Sequence, residues 1–177
     1  VVRKSGLKIF HCEEIDTHGG SLRVYIKKLD NNEIKEKKSV KYFKNYEYEK
    51  GIKNKKYYQN FEKQVKKIKI QSLNFINNLN DKIIAFGASA KGTTFVNYLG
   101  LNNKHIIFVV DKNPNKSGNY LPGSKIPIIS PNEIIKRENI FALILSWNLK
   151  KEILLEYKNL KKTGAKFFIC IPKLKIY

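Results

Sequence analysis

Cysteine is scarce in this sequence, and long apolar runs are missing. Only Cys12 and Cys170 occur in 177 residues, far apart and without a CxxC or Cys/His spacing, which argues against a disulfide framework and a structural zinc site. No apolar stretch approaches the roughly 20 residues that span a bilayer, and the N-terminus lacks the apolar core of a signal peptide. We therefore expect a cytoplasmic protein with two reduced thiols and no membrane partner.

Acidic residues are also few. The 15 Asp and Glu stand against 35 Lys and Arg, which gives a formal charge of +20 at pH 7. Such a basic chain raises the possibility of a nucleic-acid partner. The excess is nearly all Lys, however, and it is spread through the chain instead of forming an Arg-rich stripe interleaved with aromatics. We expect the positive field to concentrate phosphate-bearing small ligands, and we consider nucleic acid an unlikely partner.

The length and the apolar content favour one folded α/β core with an extension. Hydrophobic residues make up 42% of the 177 residues, which is enough for a packed interior but leaves little room for two complete catalytic domains. Near the N-terminus, residues 8–15 and 21–29 alternate as strands around a turn with paired glycines, which predicts a β-hairpin. Residues 30–56 are polar and charged, and predict a linker or a surface excursion. Residues 58–79 carry apolar side chains at steps of three or four, as in an amphipathic helix.

From residue 83 onward, short apolar strands alternate with helical segments. Continuous apolar strands separated by helices are typical of a parallel sheet covered on both faces. We therefore predict a Rossmann-like, doubly wound, mainly parallel sheet, with Ser130 and Glu133 forming the capping box of one of its helices. The expected division is a terminal hairpin at 1–28, a polar linker at 29–56 and the α/β domain at 57–177.

The segment 87–92, GASAKG, follows a predicted strand and opens a helix, where backbone N–H groups can meet a phosphate. It departs from two known patterns. Ser89 stands where the dinucleotide fingerprint GxGxxG requires glycine, and Lys91 precedes Gly92, whereas a P-loop places its Lys after the last Gly. A tight turn without a ligand is the open alternative.

Polar residues also follow the other predicted strands. Asp111 ends the second strand of the sheet, where a nucleotide-binding βαβ unit places a ribose-binding carboxylate, although a loop-capping role is an equal alternative. The loop 111–128 is long enough to suggest a function. Trp147 and Asn148 offer a stacking face and an amide to a base or sugar, while a tryptophan that covers a helix end is the other interpretation. His18 and Arg23 lie on either side of the glycines of the predicted hairpin, and a simple hairpin gives no reason for a histidine and an arginine at these positions.

Four segments together resemble the C-terminal region of the SAM-dependent sugar C-methyltransferase family. They are THGGSLR at 17–23, GASAKGTT at 87–94, VDKNPNKSGNYLPGSKIPI at 110–128 and SWN at 146–148. The resemblance implies an enzyme with a zinc-binding N-terminal domain, a central SAM-binding domain and a Rossmann-like C-terminal domain. Such enzymes methylate a ring carbon of a nucleotide-linked keto-deoxysugar. By the same resemblance, residues 1–28 look like the last hairpin of the central domain.

The sequence has no acidic-Gly-x-Gly SAM loop, no cysteine cluster and no YHEH-like stretch to supply the enolising base of that family. We therefore expect this chain to bind no cofactor and to be inactive alone, with SAM and zinc held by the missing domains. Its partners would be the nucleotide-linked sugar and the central methyltransferase domain.

The predicted roles follow from this resemblance. Ser89 and Lys91 lie near the pyrophosphate, Asp111 and Asn148 near the ribose or base, and His18 and Arg23 at the seam with the central domain. The predicted substrate-binding residues are Gly87, Ser89, Lys91, Gly92, Asp111, Lys112, Trp147 and Asn148. The alternatives are an NAD(P)- or nucleotide-binding module of an oxidoreductase, a nucleic-acid-binding module, and a purely structural docking domain.

Overall fold

The computed structural model describes residues 1–81, 83–134 and 140–177. The chain forms two compact units, Val1–Lys63 and Gln64–Tyr177. Among the described helices, none combines the length and the apolar character that crossing a membrane requires.

Nine strands and five α-helices make up the described secondary structure. The strands are β1 (Leu7–Ile15), β2 (Ser21–Lys28), β3 (Ile83–Phe86), β4 (Ile106–Val110), β5 (Tyr120–Leu121), β6 (Ile126–Ile129), β7 (Phe141–Ile144), β8 (Lys166–Ile169) and β9 (Lys175–Ile176). The helices are α1 (Lys38–Glu49), α2 (Lys55–Asn77), α3 (Ala90–Leu99), α4 (Lys150–Glu156) and α5 (Lys158–Lys162).

The first unit consists of the predicted hairpin, an unpredicted helix and the start of α2. Strands β1 and β2 pair antiparallel, and α1 packs on β1 through buried Val40. The Ser39 hydroxyl lies 2.7 Å from Nδ1 of His11 and accepts from the backbone N–H of Cys12 at 3.2 Å. Residues 38–49 of the segment predicted to be a polar linker or surface excursion form the largely exposed helix α1, and the predicted domain boundaries stay a prediction.

The second unit contains a seven-stranded sheet with the order β5-β6-β4-β3-β7-β8-β9. Its five central strands are parallel, and the short strands β5 and β9 add antiparallel edges. Counted along the chain, the parallel strands run 3-2-1-4-5, so β4 and β7 flank β3 on opposite sides. In open sheets of this kind, ligands bind at the carboxyl ends of the strands where the order reverses. The prediction of a mainly parallel α/β sheet is confirmed.

Alternate residues of the central strands pack on two separate hydrophobic cores. On one face, β3 and β7 contact apolar side chains of α2 and α3, including Ile76 and Phe95. On the other face they contact α4 and α5, through Ile153 and Leu160. Because both faces are covered, the strands need apolar side chains at every position, as their sequences have. Both cysteines are buried and unpaired, and burial raises the pKa of the Cys170 thiol to about 11.

Two helical predictions differ from the structure in detail. The predicted helix 149–162 is divided into α4 and α5 at Tyr157, whose backbone (φ −95°, ψ 27°) leaves the helical region. At Ser130, the Glu133 carboxylate accepts from the Ser130 N–H at 2.7 Å, as the predicted capping box requires. Only a short 3₁₀ turn at 131–133 follows. The remainder of that predicted helix, at 135–139, lies outside the described residues.

Candidate functional site

The turn between β3 and α3 is shaped by its contact with the end of β7. Gly87 has φ +88°, and a Cβ there would overlap the Ser146 hydroxyl. A Cβ on Gly92 would lie 2.7 Å from the Cβ of Leu145, closer than real Cβ atoms approach one another. Both glycines are therefore required by packing inside the protein, whether or not a ligand approaches the turn.

Ser89 begins helix α3. Its backbone is extended, and its hydroxyl accepts a hydrogen bond from the N–H of Gly92 at 3.2 Å, as an N-cap residue does. Its carbonyl accepts from both the N–H and the hydroxyl of Thr93, at 2.8 and 3.0 Å. The residue that breaks the GxGxxG pattern therefore has a local structural role. A contact between Ser89 and pyrophosphate stays a prediction.

Asp111 and Lys116 hold the two backbone peptide groups on either side of Ala88. The Asp111 carboxylate accepts from the Ala88 N–H at 2.7 Å through Oδ2, and from the Asn113 N–H at 2.9 Å through Oδ1. The Lys116 ammonium donates to the Ala88 carbonyl at 2.9 Å and to Oδ2 of Asp111 at 3.3 Å. These contacts match the loop-capping role of Asp111, which was the alternative to ribose binding. Lys116 is not among the predicted site residues, although it belongs to the segment 110–128 that carries the family resemblance.

Replacement of Lys116 tests this peptide clamp. Lys116→Met is expected to lower the free energy of unfolding by about 1 kcal/mol, because it removes two charge-assisted hydrogen bonds that are partly exposed to solvent. Urea unfolding would measure the change. Lys104→Met removes the same charge from an exposed residue and should have almost no effect; equal losses in the two variants would contradict a clamp by Lys116.

Lys91, Trp147 and Asn148, three of the predicted substrate-binding residues, lie together in the structure. The Lys91 ammonium donates to Oδ1 of Asn148 at 3.0 Å and lies 5.3 Å from the centroid of the Trp147 ring. Lys91 is in the first turn of α3, and the other two residues follow β7. These elements meet at the point where the strand order reverses. A cation, an aromatic face and an amide are thus presented at the carboxyl edge of the sheet. A contact between these residues and a ligand stays a prediction.

Lys112 has different surroundings. Its ammonium forms a 2.7 Å ion pair with Glu156 and lies at a cavity of about 200 Å³. The ends of β3, β4 and β7 and the side chains of α4 surround this cavity. Its lining residues are Phe86, Gly87, Val110, Asp111, Lys112, Ser146, Leu149, Glu152, Ile153, Glu156 and Tyr157. Gly87, Asp111 and Lys112 are the predicted site residues among them.

Four other polar residues of this cavity are not among the predicted site residues: Ser146, Glu152, Glu156 and Tyr157. Glu152 and Glu156 look like solvated positions of a charged helix, and nothing in their spacing singles them out. Burial raises the pKa of Tyr157 to about 12, and the nearby carboxylates of Glu156 and Asp111 add to that shift. The Tyr157 hydroxyl is therefore protonated at neutral pH.

His18 and Arg23 belong to the first unit. His18 has φ +58° in the turn of the hairpin. Arg23 donates to Oε1 of Glu13 at 2.9 Å, and the Tyr25 hydroxyl donates to the same oxygen at 2.7 Å. The Tyr25 hydrogen bond, together with Arg23, lowers the pKa of Glu13. This ion pair across β1 and β2 gives Arg23 a structural partner, and the predicted role of both residues at a domain seam is untested.

A mainly parallel sheet with helices on both faces, and with polar side chains gathered at the carboxyl edge, has the architecture of an α/β ligand-binding domain. Comparison with known proteins gives its family. Residues 16–172 match the family described as C-methyltransferase C-terminal domain, and the chain belongs to that family. The chain is 28% identical over 175 residues to the C-methyltransferase NovU of Streptomyces niveus. This match covers 97% of the chain but 41% of NovU. The resemblance seen in the sequence is confirmed.

Proposed function

We propose that this chain is the part of a SAM-dependent sugar C-methyltransferase that binds the nucleotide-linked sugar and holds it for a separate catalytic domain. The observation that carries the proposal is the group of Lys91, Trp147 and Asn148 at the reversal point of the strand order. An ammonium pairs with a pyrophosphate, an aromatic face stacks on a base, and an amide matches base or sugar edges. Asn148 and Trp147 hold Lys91 in place before a ligand arrives.

The electrostatics of the whole chain support an anionic ligand. A formal charge of +20 produces a positive field that raises the local concentration of a diphosphate and accelerates its encounter with the protein. Screening by salt weakens such a field over distances beyond about 8 Å at physiological ionic strength. We therefore expect association with a nucleotide-sugar to slow as salt is added.

The residues of the β3 turn do not suit SAM, and we assign that cofactor to the rest of the protein. A nucleoside cofactor in this fold uses the carboxylate after the second strand for its ribose. Here that carboxylate, Asp111, is occupied by Ala88, Asn113 and Lys116. The same occupancy disfavours the alternative of an NAD(P)-binding oxidoreductase module. We likewise assign zinc to the rest of the protein, since within the described residues no three His, Cys, Asp or Glu side chains form a group that could hold a metal ion.

The hairpin supports docking to a further domain. Leu22, Val24 and Ile26 share one face of β2 and are all exposed, each by 38% or more. The opposite face carries Tyr25, stacked on His11. An isolated two-stranded sheet is marginal, and contiguous exposed apolar side chains mark an interaction surface. The family match begins at residue 16, between β1 and β2, which supports our proposal that the hairpin adjoins another domain. We infer that the catalytic domain covers this apolar face.

Binding of thymidine diphosphate tests the proposal. We expect saturable binding by calorimetry, and a Kd raised tenfold or more in Lys91→Met, because a charge-assisted hydrogen bond contributes roughly 1.5–3 kcal/mol. Lys104→Met, which changes charge equally, should bind as the unmodified chain does. The proposal fails if neither this chain nor the full-length protein binds the ligand, or if Lys91→Met binds it normally.

A further inference from the structure

The cavity next to Tyr157 gathers acidic side chains in a chain that is otherwise basic. Two of these side chains are paired with lysines, Glu156 with Lys112 and Asp111 with Lys116. Of the 15 acidic residues in the sequence, three line this one cavity: Asp111, Glu152 and Glu156. The two glutamates are one turn apart on α4. Like charges at this spacing destabilise a helix, so helix formation alone does not favour the pair.

Ser146 supplies a second, independent feature. It is only 6% exposed, and it lines the cavity at the end of β7. It precedes a 3₁₀ turn, yet its hydroxyl makes no capping hydrogen bond there. Within the described part of the chain, no other group pairs with that hydroxyl. A hydroxyl that faces a cavity and has no protein partner can bond to a group that enters the cavity.

Tyr157 adds a donor and an apolar wall. Its hydroxyl stays protonated at neutral pH, for the reasons given above, and can donate a hydrogen bond. Its ring packs on Phe86 with the centroids 4.5 Å apart, and Ile153 lines the same side. The cavity thus combines carboxylate acceptors, hydroxyl donors and an apolar surface.

These groups select among ligand chemistries. Asp111 and Glu156 are paired with lysines, and the remaining charge of Glu152 disfavours the anionic part of a nucleotide in this cavity. A metal ion is disfavoured because, among the described residues, these carboxylates do not converge into a metal-binding group. The volume of about 200 Å³ is below the roughly 300–1,000 Å³ of pockets that enclose whole drug-sized ligands. A single hydroxylated ring matches both the size and the donor and acceptor set.

We propose that this cavity binds the hydroxyl groups of one sugar ring, with Glu152 and Glu156 as acceptors and Ser146 and Tyr157 as hydroxyl partners. The inference rests on the proposed function, in which the Lys91 group holds the diphosphate. A nucleotide-linked sugar offers two such rings, the ribose and the attached hexose. Glu156 already accepts from Lys112, so Glu152 is the acceptor with the greater capacity for a ring hydroxyl.

The test uses free sugars, which do not need the diphosphate site. The full chain is titrated with ribose and separately with glucose, and the backbone amide signals of residues 152–157 are followed by NMR. We expect saturable shifts with one of the two sugars, and at least tenfold weaker binding in Glu152→Gln and in Ser146→Ala. Glu33→Gln makes the same carboxylate-to-amide change at an exposed position and should leave binding unchanged.

The response to each sugar identifies the ring: shifts with ribose alone assign the nucleoside, and shifts with glucose alone assign the linked sugar. No saturable shift with either sugar overturns the cavity assignment, as does normal binding by both variants. Thymidine diphosphate is titrated in parallel. Its failure to bind contradicts the proposed function, whereas failure of the sugars alone contradicts only the cavity.

Discussion

Replacing Gly87 with alanine is expected to lower the free energy of unfolding of the second unit by about 3 kcal/mol. Two causes add. Alanine is strained at φ +88°, and its Cβ would overlap the Ser146 hydroxyl at the end of β7. Because Gly87 joins β3 to α3 at the centre of the sheet, neither the turn nor β7 can move away without disturbing packed neighbours.

The same substitution at a glycine of similar backbone conformation distinguishes the backbone strain from the overlap with Ser146. Gly118 has φ +80°, and no described atom lies within 4 Å of the position its Cβ would take. Gly118→Ala should therefore show the backbone strain alone, about 1 kcal/mol. Urea unfolding followed by the fluorescence of Trp147, the one tryptophan in the sequence, reports on this unit. Equal destabilisation by the two substitutions would show that the contact with Ser146 is unimportant.

Truncation of Phe168 is expected to have an effect of the same order or larger. Phe168→Ala should cost about 4 kcal/mol, because it removes a large side chain and leaves a cavity among residues with little freedom to collapse. The Phe168 ring is fully buried in β8 and lies edge-on to Phe75 of α2, with the centroids 5.1 Å apart, and 6.2 Å from Phe141 of β7. It thus joins two strands to the helix that covers them.

Phe61 provides the matched control for Phe168. Its side chain is 65% exposed on α2, so the same substitution there should change stability by less than about 0.5 kcal/mol. Thermal unfolding followed by circular dichroism would give both values. For a chain of this size, a 4 kcal/mol loss corresponds to a fall in Tm of about 10 °C. A fall in Phe168→Ala no greater than that in Phe61→Ala would contradict the packing described for the core.

The parts of the fold that the sequence predicts are those with strong local signals. Strands β3, β4 and β7 are buried on both faces and read as unbroken apolar runs. Helix α1 lacked such a signal, since Val40 is its one buried residue and its other positions are mostly Lys, Tyr and Glu. The two-residue strands β5 and β9 are defined by the neighbours they pair with, and a pair of residues has no periodicity to detect.

The candidate site likewise has a part that the sequence could predict and a part that it could not. The β3 turn with Lys91, and Trp147 with Asn148 after β7, could be placed at one edge of the sheet in advance because the ends of parallel strands meet there. The partner of Asp111 could not, since whether a carboxylate faces a ligand or a backbone N–H depends on the path of a loop. Glu152 and Ser146 could not be predicted as site residues, because only the folded structure shows that both line the same cavity.

The clamp on the peptide groups beside Ala88 has a consequence for the thermodynamics of any ligand at the β3 turn. Asp111 holds the N–H of Ala88 and Lys116 holds its carbonyl, so the two peptide groups on either side of Ala88 are both fixed by side chains in the unliganded protein. Ordering a flexible loop reduces the affinity of a complex, and a preorganised loop avoids that loss. Binding at this edge of the sheet should therefore proceed with a small conformational entropy change, and loosening the clamp should weaken affinity through entropy even where no contact to the ligand is removed.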